Sequence, residues 1–182
     1  MKQLLLFLAP GFEEIEAICT LDILRRAGLN VSSVSITGDL HVVGAHGIAV
    51  EADCLYPEID FDQAEMLILP GGQPGTKNLN VHEGLKTALT SFANAGKPLA
   101  AICAAPMILG QLGLLVGKEA TCYPGNEVHL RGAKLSKKKV VKDGSIITAS
   151  GPGVAIKFAL QIVSFFLGEE KSEEISRDLL LL

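Results

Sequence analysis

The sequence predicts an α/β sandwich around a mostly parallel sheet, and three observations carry that prediction. Short apolar runs of strand length alternate with stretches of helical periodicity, a β-α-β pattern. The runs Leu4–Ala9, Val31–Ile36, Met66–Leu69 and Leu99–Ile102 are short and apolar, as strands covered on both faces are. The composition is also rich in apolar residues: 48% of the 182 residues are hydrophobic and 20% are charged. Counting glycine and dropping tyrosine brings the apolar share to about 57%, against roughly 45–50% in an average chain. That excess fits a sheet buried on both sides, a dimer contact, or both.

The elements follow in order. Leu4–Ala9 is the first strand and Glu14–Ala27 the first helix; Val31–Ile36 and Met66–Leu69 are the next strands. A helix over His82–Ala95 leads to the strand Leu99–Ile102, which is followed directly by a helix over Ala104–Leu112. Lys139–Lys142 and Ser145–Ala149 flank Asp143-Gly144, a strong hairpin signal. A long helix is expected from Pro152, suited to a first turn, to Gly168, suited to a stop. Residues 169–182 begin charged and end in leucines, which reads as a short helical cap. At roughly 100–200 residues per domain, residues 1–182 form one domain.

Several function classes are excluded. Sixteen basic and 20 acidic residues give a net charge of −4, and no basic stripe for nucleic acid is present. The run Lys137-Lys138-Lys139 reads as a solvated strand end or edge guard. Cys19, Cys54, Cys103 and Cys122 lie far apart with no C-x-x-C pair, so neither a metal site nor a disulfide framework is expected. The late apolar stretch Val154–Leu167 carries Lys157 and Gln161 and falls short of the roughly 18 residues a membrane span needs. Met1-Lys2 and the apolar run after it imitate a signal peptide. Pro10 and Gly11 interrupt that run and glutamates follow, so it reads as a strand and the expected address is cytoplasmic.

In open parallel sheets, ligands bind beyond the carboxyl ends of the strands. Here three strand ends deliver Glu13-Glu14-Ile15-Glu16, Pro70-Gly71-Gly72 and Cys103-Ala104-Ala105-Pro106 to one rim. Cys103 stands between an apolar strand and a helix, the geometry of a nucleophile elbow, although G-x-S-x-G is absent. A helix N-terminus there is expected to lower the thiol pKa, and its N–H groups to hold an oxyanion. From position alone, a buried structural cysteine explains the residue as well. Glu16 projects into an apolar arc with Ala17, Cys19, Leu21, Ile23, Leu24 and Ala27. Desolvation there raises its pKa and leaves a neutral acid able to donate a hydrogen bond. The other reading is a frayed first turn in which Glu16 merely favours the helix dipole, and it fits Glu13 and Glu14 more than Glu16. Gly71-Gly72 is a tight turn or a close backbone approach to substrate. His41, His82 and His129 are assigned no role.

These residues resemble the ThiJ/PfpI superfamily, most closely its Parkinsonism-associated protein deglycase branch. The matching pieces are Gly11-Phe12-Glu13-Glu14-Ile15-Glu16, Arg25-Arg26-Ala27-Gly28, Leu69-Pro70-Gly71-Gly72, Ala100-Ala101-Ile102-Cys103-Ala104-Ala105-Pro106 and Gly151-Pro152-Gly153 leading to Phe158-Ala159-Leu160. They cover nearly the whole chain in the family's order. The resemblance implies a flavodoxin-like three-layer sandwich, a homodimer, and no cofactor or metal. It implies Cys103 as nucleophile and Glu16 as its protonated partner, with Gly71, Gly72, Ala104 and Tyr123 binding substrate or oxyanion. Arg26 and His46 would stand at the site periphery or dimer contact.

The activities it implies are glyoxalase III-type conversion of 2-oxoaldehydes without metal or glutathione, or deglycation of early glycation adducts. The alternative is an oxidative-stress sensor or redox-regulated chaperone in which Cys103 becomes a sulfinate. Three positions depart from the family. Ala104 stands where the protease-like branch has His, which argues against a Cys-His peptidase. Tyr123 stands where human-like members have His, and His46 where the family places Arg.

Overall fold

The computed structural model describes residues 3–181; Met1 and Lys2 of the leader-like start, and Leu182 of the C-terminal cap, lie outside the described residues. The first half runs β1 (Gln3–Leu8), α1 (Glu14–Arg26), β2 (Val31–Ser35), β3 (His41–Val43), β4 (Ala49–Glu51), β5 (Cys54–Leu55), β6 (Ala64–Leu69), α2 (Gly75–Asn80) and α3 (Glu83–Asn94). The second half runs β7 (Leu99–Ile102), α4 (Pro106–Gln111), β8 (Glu119–Ala120), β9 (Lys134–Leu135), β10 (Val140–Asp143), β11 (Ile146–Ala149), α5 (Ala155–Leu167) and α6 (Glu169–Asp178).

Seven strands form the central sheet in the order β10-β11-β7-β6-β1-β2-β5, parallel throughout except for the β10–β11 hairpin. From β1 the chain steps outward to β2, and from β6 it steps the other way to β7. The order therefore reverses between β1 and β6, which opens a crevice at their carboxyl ends. The unbroken apolar run of β1 divides by its pleat. Leu4, Leu6 and Leu8 pack with Ala17 and Leu24 of α1 and with Phe158 and Ile162 of α5. Leu5 and Phe7 face the other way, toward Leu85, Leu89 and Phe92 of α3 and Ile108 of α4. Each fully buried large side chain contributes roughly 1.5–3 kcal/mol, so both helix layers are held by the sheet.

The expected helix from Pro152 begins with one 3₁₀ turn, Pro152–Val154, before α5, and Gly168 ends it with φ 86°. In β2 the run is less apolar than its partners. Ser33 donates through N and Oγ to Asp53 Oδ2, both at 2.7 Å, and Ser35 Oγ donates to the Asp39 carbonyl. The small elements β3–β4, β5, α2 and β8–β9 are additional to the expected set. At two to six residues each, they are too short to show a hydrophobic period. The lysine run precedes β10, an edge strand.

Candidate active site

The site is assembled by three chain turns at the crevice. Cys103 follows β7 directly and sits at φ 64°, a left-handed conformation that costs a non-glycine residue of order 1–3 kcal/mol. Its backbone is fixed on both sides: its N–H donates to the Ala149 carbonyl (2.8 Å), and its carbonyl accepts from Tyr123 N–H (2.7 Å). The turn after β6 supplies Gly71 and Gly72. A Cβ on Gly71 would stand 2.7 Å from Cys103 Cβ and 2.8 Å from Glu16 Oε2, so only glycine lets the strand end lie between those two side chains. Gly72, at φ 90°, packs against the backbone of Gly11, Phe12 and Glu13. The Glu13 N–H donates to the Gly71 carbonyl (2.9 Å), which stitches this turn to the start of α1.

Glu16 is fully buried. Oε2 accepts the Gly71 N–H at 2.7 Å. Oε1 has no hydrogen-bond partner of good geometry among the described residues. The Cys103 thiol lies close enough for each group to shift the other's proton affinity. Burial is the largest cause that pushes the Glu16 carboxyl up to about 7; the Gly71 N–H and Cys103 oppose it and the charge of Glu13 reinforces it. Burial also pushes the Cys103 thiol up, to about 12, with the charge and hydrogen bonding of Glu16 adding to it. The N–H groups of Ala104 and Gly72 pull the other way. The expected lowering of the thiol pKa by a helix N-terminus is thus corrected. Helix α4 has only six residues, and desolvation together with a neighbouring carboxylate outweighs it.

A cleft of about 500 Å³ opens over Cys103, lined also by Glu13, Gly72, Gln73, Ala104, Tyr123 and the segment 124–126. The sequence-predicted residues sort as follows. Cys103, Gly72, Ala104 and Tyr123 line the cleft, and Glu16 lies behind it beside the thiol. The Gly71 N–H is taken by Glu16, so it positions the carboxyl. Arg26 is ten residues further along α1, about 15 Å by helix rise, and pairs with Asp22 at 2.8 Å, away from the cleft. His46 is at the rim, where Nδ1 lies 2.9 Å from Glu14 Oε2 and 3.8 Å from Glu13 Oε1.

Glu14 stands in the first turn of α1 as expected, and what the sequence did not show is its second role. It is buried under the β3–β4 hairpin, and its Oε1 accepts the His46 N–H at 2.7 Å. Burial alone would raise its pKa, but the hydrogen bonds of His46 and Ile48 bring it below the ordinary value. His46 rises correspondingly, through its bond to Glu14 and then the charges of Glu13 and Glu14. Glycine at 44 was the available signal, because a Cβ there would collide with the Glu14 carboxyl. Glu13, Glu14 and His46 are also the group among the described residues whose donor atoms, within 4.8 Å of one another, could hold a metal ion.

Comparison with known proteins places the chain in a family. Residues 2–165 match the model of the DJ-1/PfpI family. The chain is 36% identical over 182 residues to protein dj-1beta of Drosophila melanogaster, covering 99% of this chain and 97% of that one. A deglycase of Pyrococcus abyssi is 32% identical over 154 residues, 83% of this chain and 91% of its own. The solved structure of oxidized Toxoplasma gondii DJ-1 superposes with a TM-score of 0.94 at 32% identity, covering 99% and 98% of the two chains. With the family model matched over residues 2–165 and relatives aligned over nearly its whole length, the chain belongs to the DJ-1/PfpI family.

Proposed function

We propose that the protein is a cysteine-dependent enzyme that converts 2-oxoaldehydes, or the early adducts they form, to 2-hydroxy acids without metal or glutathione. The observation that carries this reading is a buried carboxyl poised near pH 7 beside a thiol that needs a base. A general base is most effective with a pKa near the operating pH, and a thiol held protonated is activated by such a neighbour. Glu16 takes the Cys103 proton as sulfur bonds to the aldehyde carbon, and the carbonyl oxygen becomes an oxyanion facing the N–H groups of Gly72 and Ala104. Glu16 returns its proton to the oxyanion, takes the hydrogen of that carbon as a proton and delivers it to the neighbouring ketone carbon, while the hydroxyl proton passes to the former ketone oxygen, so a 2-hydroxy thioester remains. An early adduct first loses its carrier thiol or amine in the cleft to give the same aldehyde. Water cleaves the thioester, so aldehyde plus water gives the 2-hydroxy acid and the free thiol.

The deglycase name of the Pyrococcus abyssi relative supports this class. Purified protein is expected to form lactate from methylglyoxal, and Cys103→Ser to form none. Equal, slow conversion by both would overturn the enzyme reading. A second reading rests on the unpartnered Oε1, which as a protonated acid could donate to a sulfinate oxygen on Cys103. Intact-mass spectrometry after mild peroxide separates the two: two added oxygens confined to Cys103, with negligible turnover, favour the sensor. The proposal includes a homodimer, supported by exposed Ile15 and Ile18 on α1 beside Ile156 of α5; a monomer by light scattering at micromolar concentration would contradict it.

A further inference from the structure

The cleft over Cys103 is larger and more one-sided in charge than a free aldehyde requires. Its volume of about 500 Å³ falls in the range of roughly 300–1,000 Å³ that holds drug-sized ligands, whereas methylglyoxal has five heavy atoms. Glu13 is the carboxylate among its lining residues, and among the described residues no lysine or arginine lines it. The Glu13 side chain is 15% exposed, and its charge is felt at the reacting pair, where it raises Glu16. His46 is its nearest countercharge, but the imidazole sits closer to Glu14, at 2.9 Å against 3.8 Å. Two carboxylates and one imidazolium still leave one net negative charge at this wall. The lysines of residues 137–139 line a separate cavity of about 240 Å³ beyond Pro124.

We propose that Glu13 is a specificity-determining residue: the cleft takes early glycation adducts on carriers with a positive charge beside the reacting carbonyl and disfavours anionic carriers. This rests on the enzyme reading above and deepens it by naming the substrate class. The free aldehyde fills only the inner part of the cleft around Cys103. The outer part, walled by Glu13 and Tyr123, receives the carrier. A unit charge pair about 4 Å apart in a water-like setting is worth about 1 kcal/mol, close to fivefold, so exchanging a cationic for an anionic carrier trades one such attraction for one repulsion and changes kcat/KM by about 25-fold at low salt.

Three hemithioacetals of methylglyoxal test this with one reacting group and three charges, made with excess thiocholine, 2-mercaptoethanol and thioglycolate. Wild type is expected to prefer them in that order, cation-to-anion about 25-fold. The ratio should shrink with salt, fall toward one in Glu13→Gln and invert in Glu13→Lys. Each ratio is taken within one variant, so a general loss of activity does not affect it. Alkylation of Cys103 reads the same selectivity without turnover. The iodoacetamide-to-iodoacetate rate ratio at Cys103, normalised to that of N-acetylcysteine, should exceed one and drop in Glu13→Gln. A wild-type ratio near one in either assay, or a preference that Glu13→Gln leaves unchanged, overturns the proposal. An anion-preferring wild type overturns it and points to the lysine-lined cavity. No turnover of any hemithioacetal, with the alkylation selectivity intact, overturns the enzyme reading and leaves the charge selection standing.

Discussion

Glu14 and Glu16 stand two residues apart on one helix, both buried, yet their proton affinities move in opposite directions. Glu14 receives N–H groups from His46 and Ile48 together with the His46 ring, and it stays ionised below the ordinary carboxyl pKa. Glu16 receives one N–H, from Gly71, keeps an unpartnered oxygen, and rises to about 7. Burial and the donors converging on each carboxylate decide together which becomes an acid: Glu16 lies deeper and receives fewer of them. The hairpin supplies Glu14 with donors and makes it a structural tie between β3–β4 and α1. The glycine turn withholds them from Glu16 and leaves a proton available to Cys103.

Removing that proton carrier has the largest expected effect. Glu16→Gln keeps the shape and the acceptor for Gly71 but cannot exchange a proton, so kcat for methylglyoxal should fall roughly 10²–10⁴-fold. Retention of full turnover would break the contrast between the two residues.

Stability against pH sharpens it. The folded pKa of Glu16 lies above its ordinary value of 4.5, so between about 4.5 and 7 the folded state holds more protons than the unfolded state. Stability falls as pH rises through that window, and at about 1.4 kcal/mol per tenfold change in affinity the loss approaches roughly 3 kcal/mol. Denaturant titrations of wild type at pH 5 and pH 8 should show this decline, with Glu16→Gln nearly flat.

Glu14 should behave the opposite way and more weakly. Its folded pKa is lowered, so its contribution is present above the ordinary value and lost as pH falls through the folded pKa. Glu14→Gln is expected to cost about 1–3 kcal/mol at pH 7, the range for a buried charge-assisted network. The difference from wild type should fade in acid.

Much of this was legible in the sequence because it lies in local pattern. The short apolar runs, the turn signals at Asp143-Gly144 and Gly71-Gly72, and the position of Cys103 right after a strand place the sheet and the elbow. Glu16 announced itself through the apolar arc around it. What stayed illegible depends on segments distant in sequence. Glu14 is covered by a hairpin about thirty residues away, whose three-residue strands carry no period. The role of Gly71 depends on what stands on either side of it, and Arg26 lies far from the cleft because ten helical residues separate it from Glu16. The thiol's proton affinity depends on a charge contributed by another element. A lone strand-turn-helix pattern shows the helix end but not that charge.

The central claim, that Glu16 and Cys103 compete for a proton, is tested most directly by the pH dependence of iodoacetamide alkylation. Peptide mass spectrometry resolves Cys103 from Cys19, Cys54 and Cys122 in wild type and Glu16→Gln. The wild-type midpoint is expected above the ordinary thiol value of 9.0. In Glu16→Gln it should shift downward, because the neighbouring charge is gone while the N–H groups of Gly72 and Ala104 remain. A midpoint that is unchanged or higher in Glu16→Gln would contradict it.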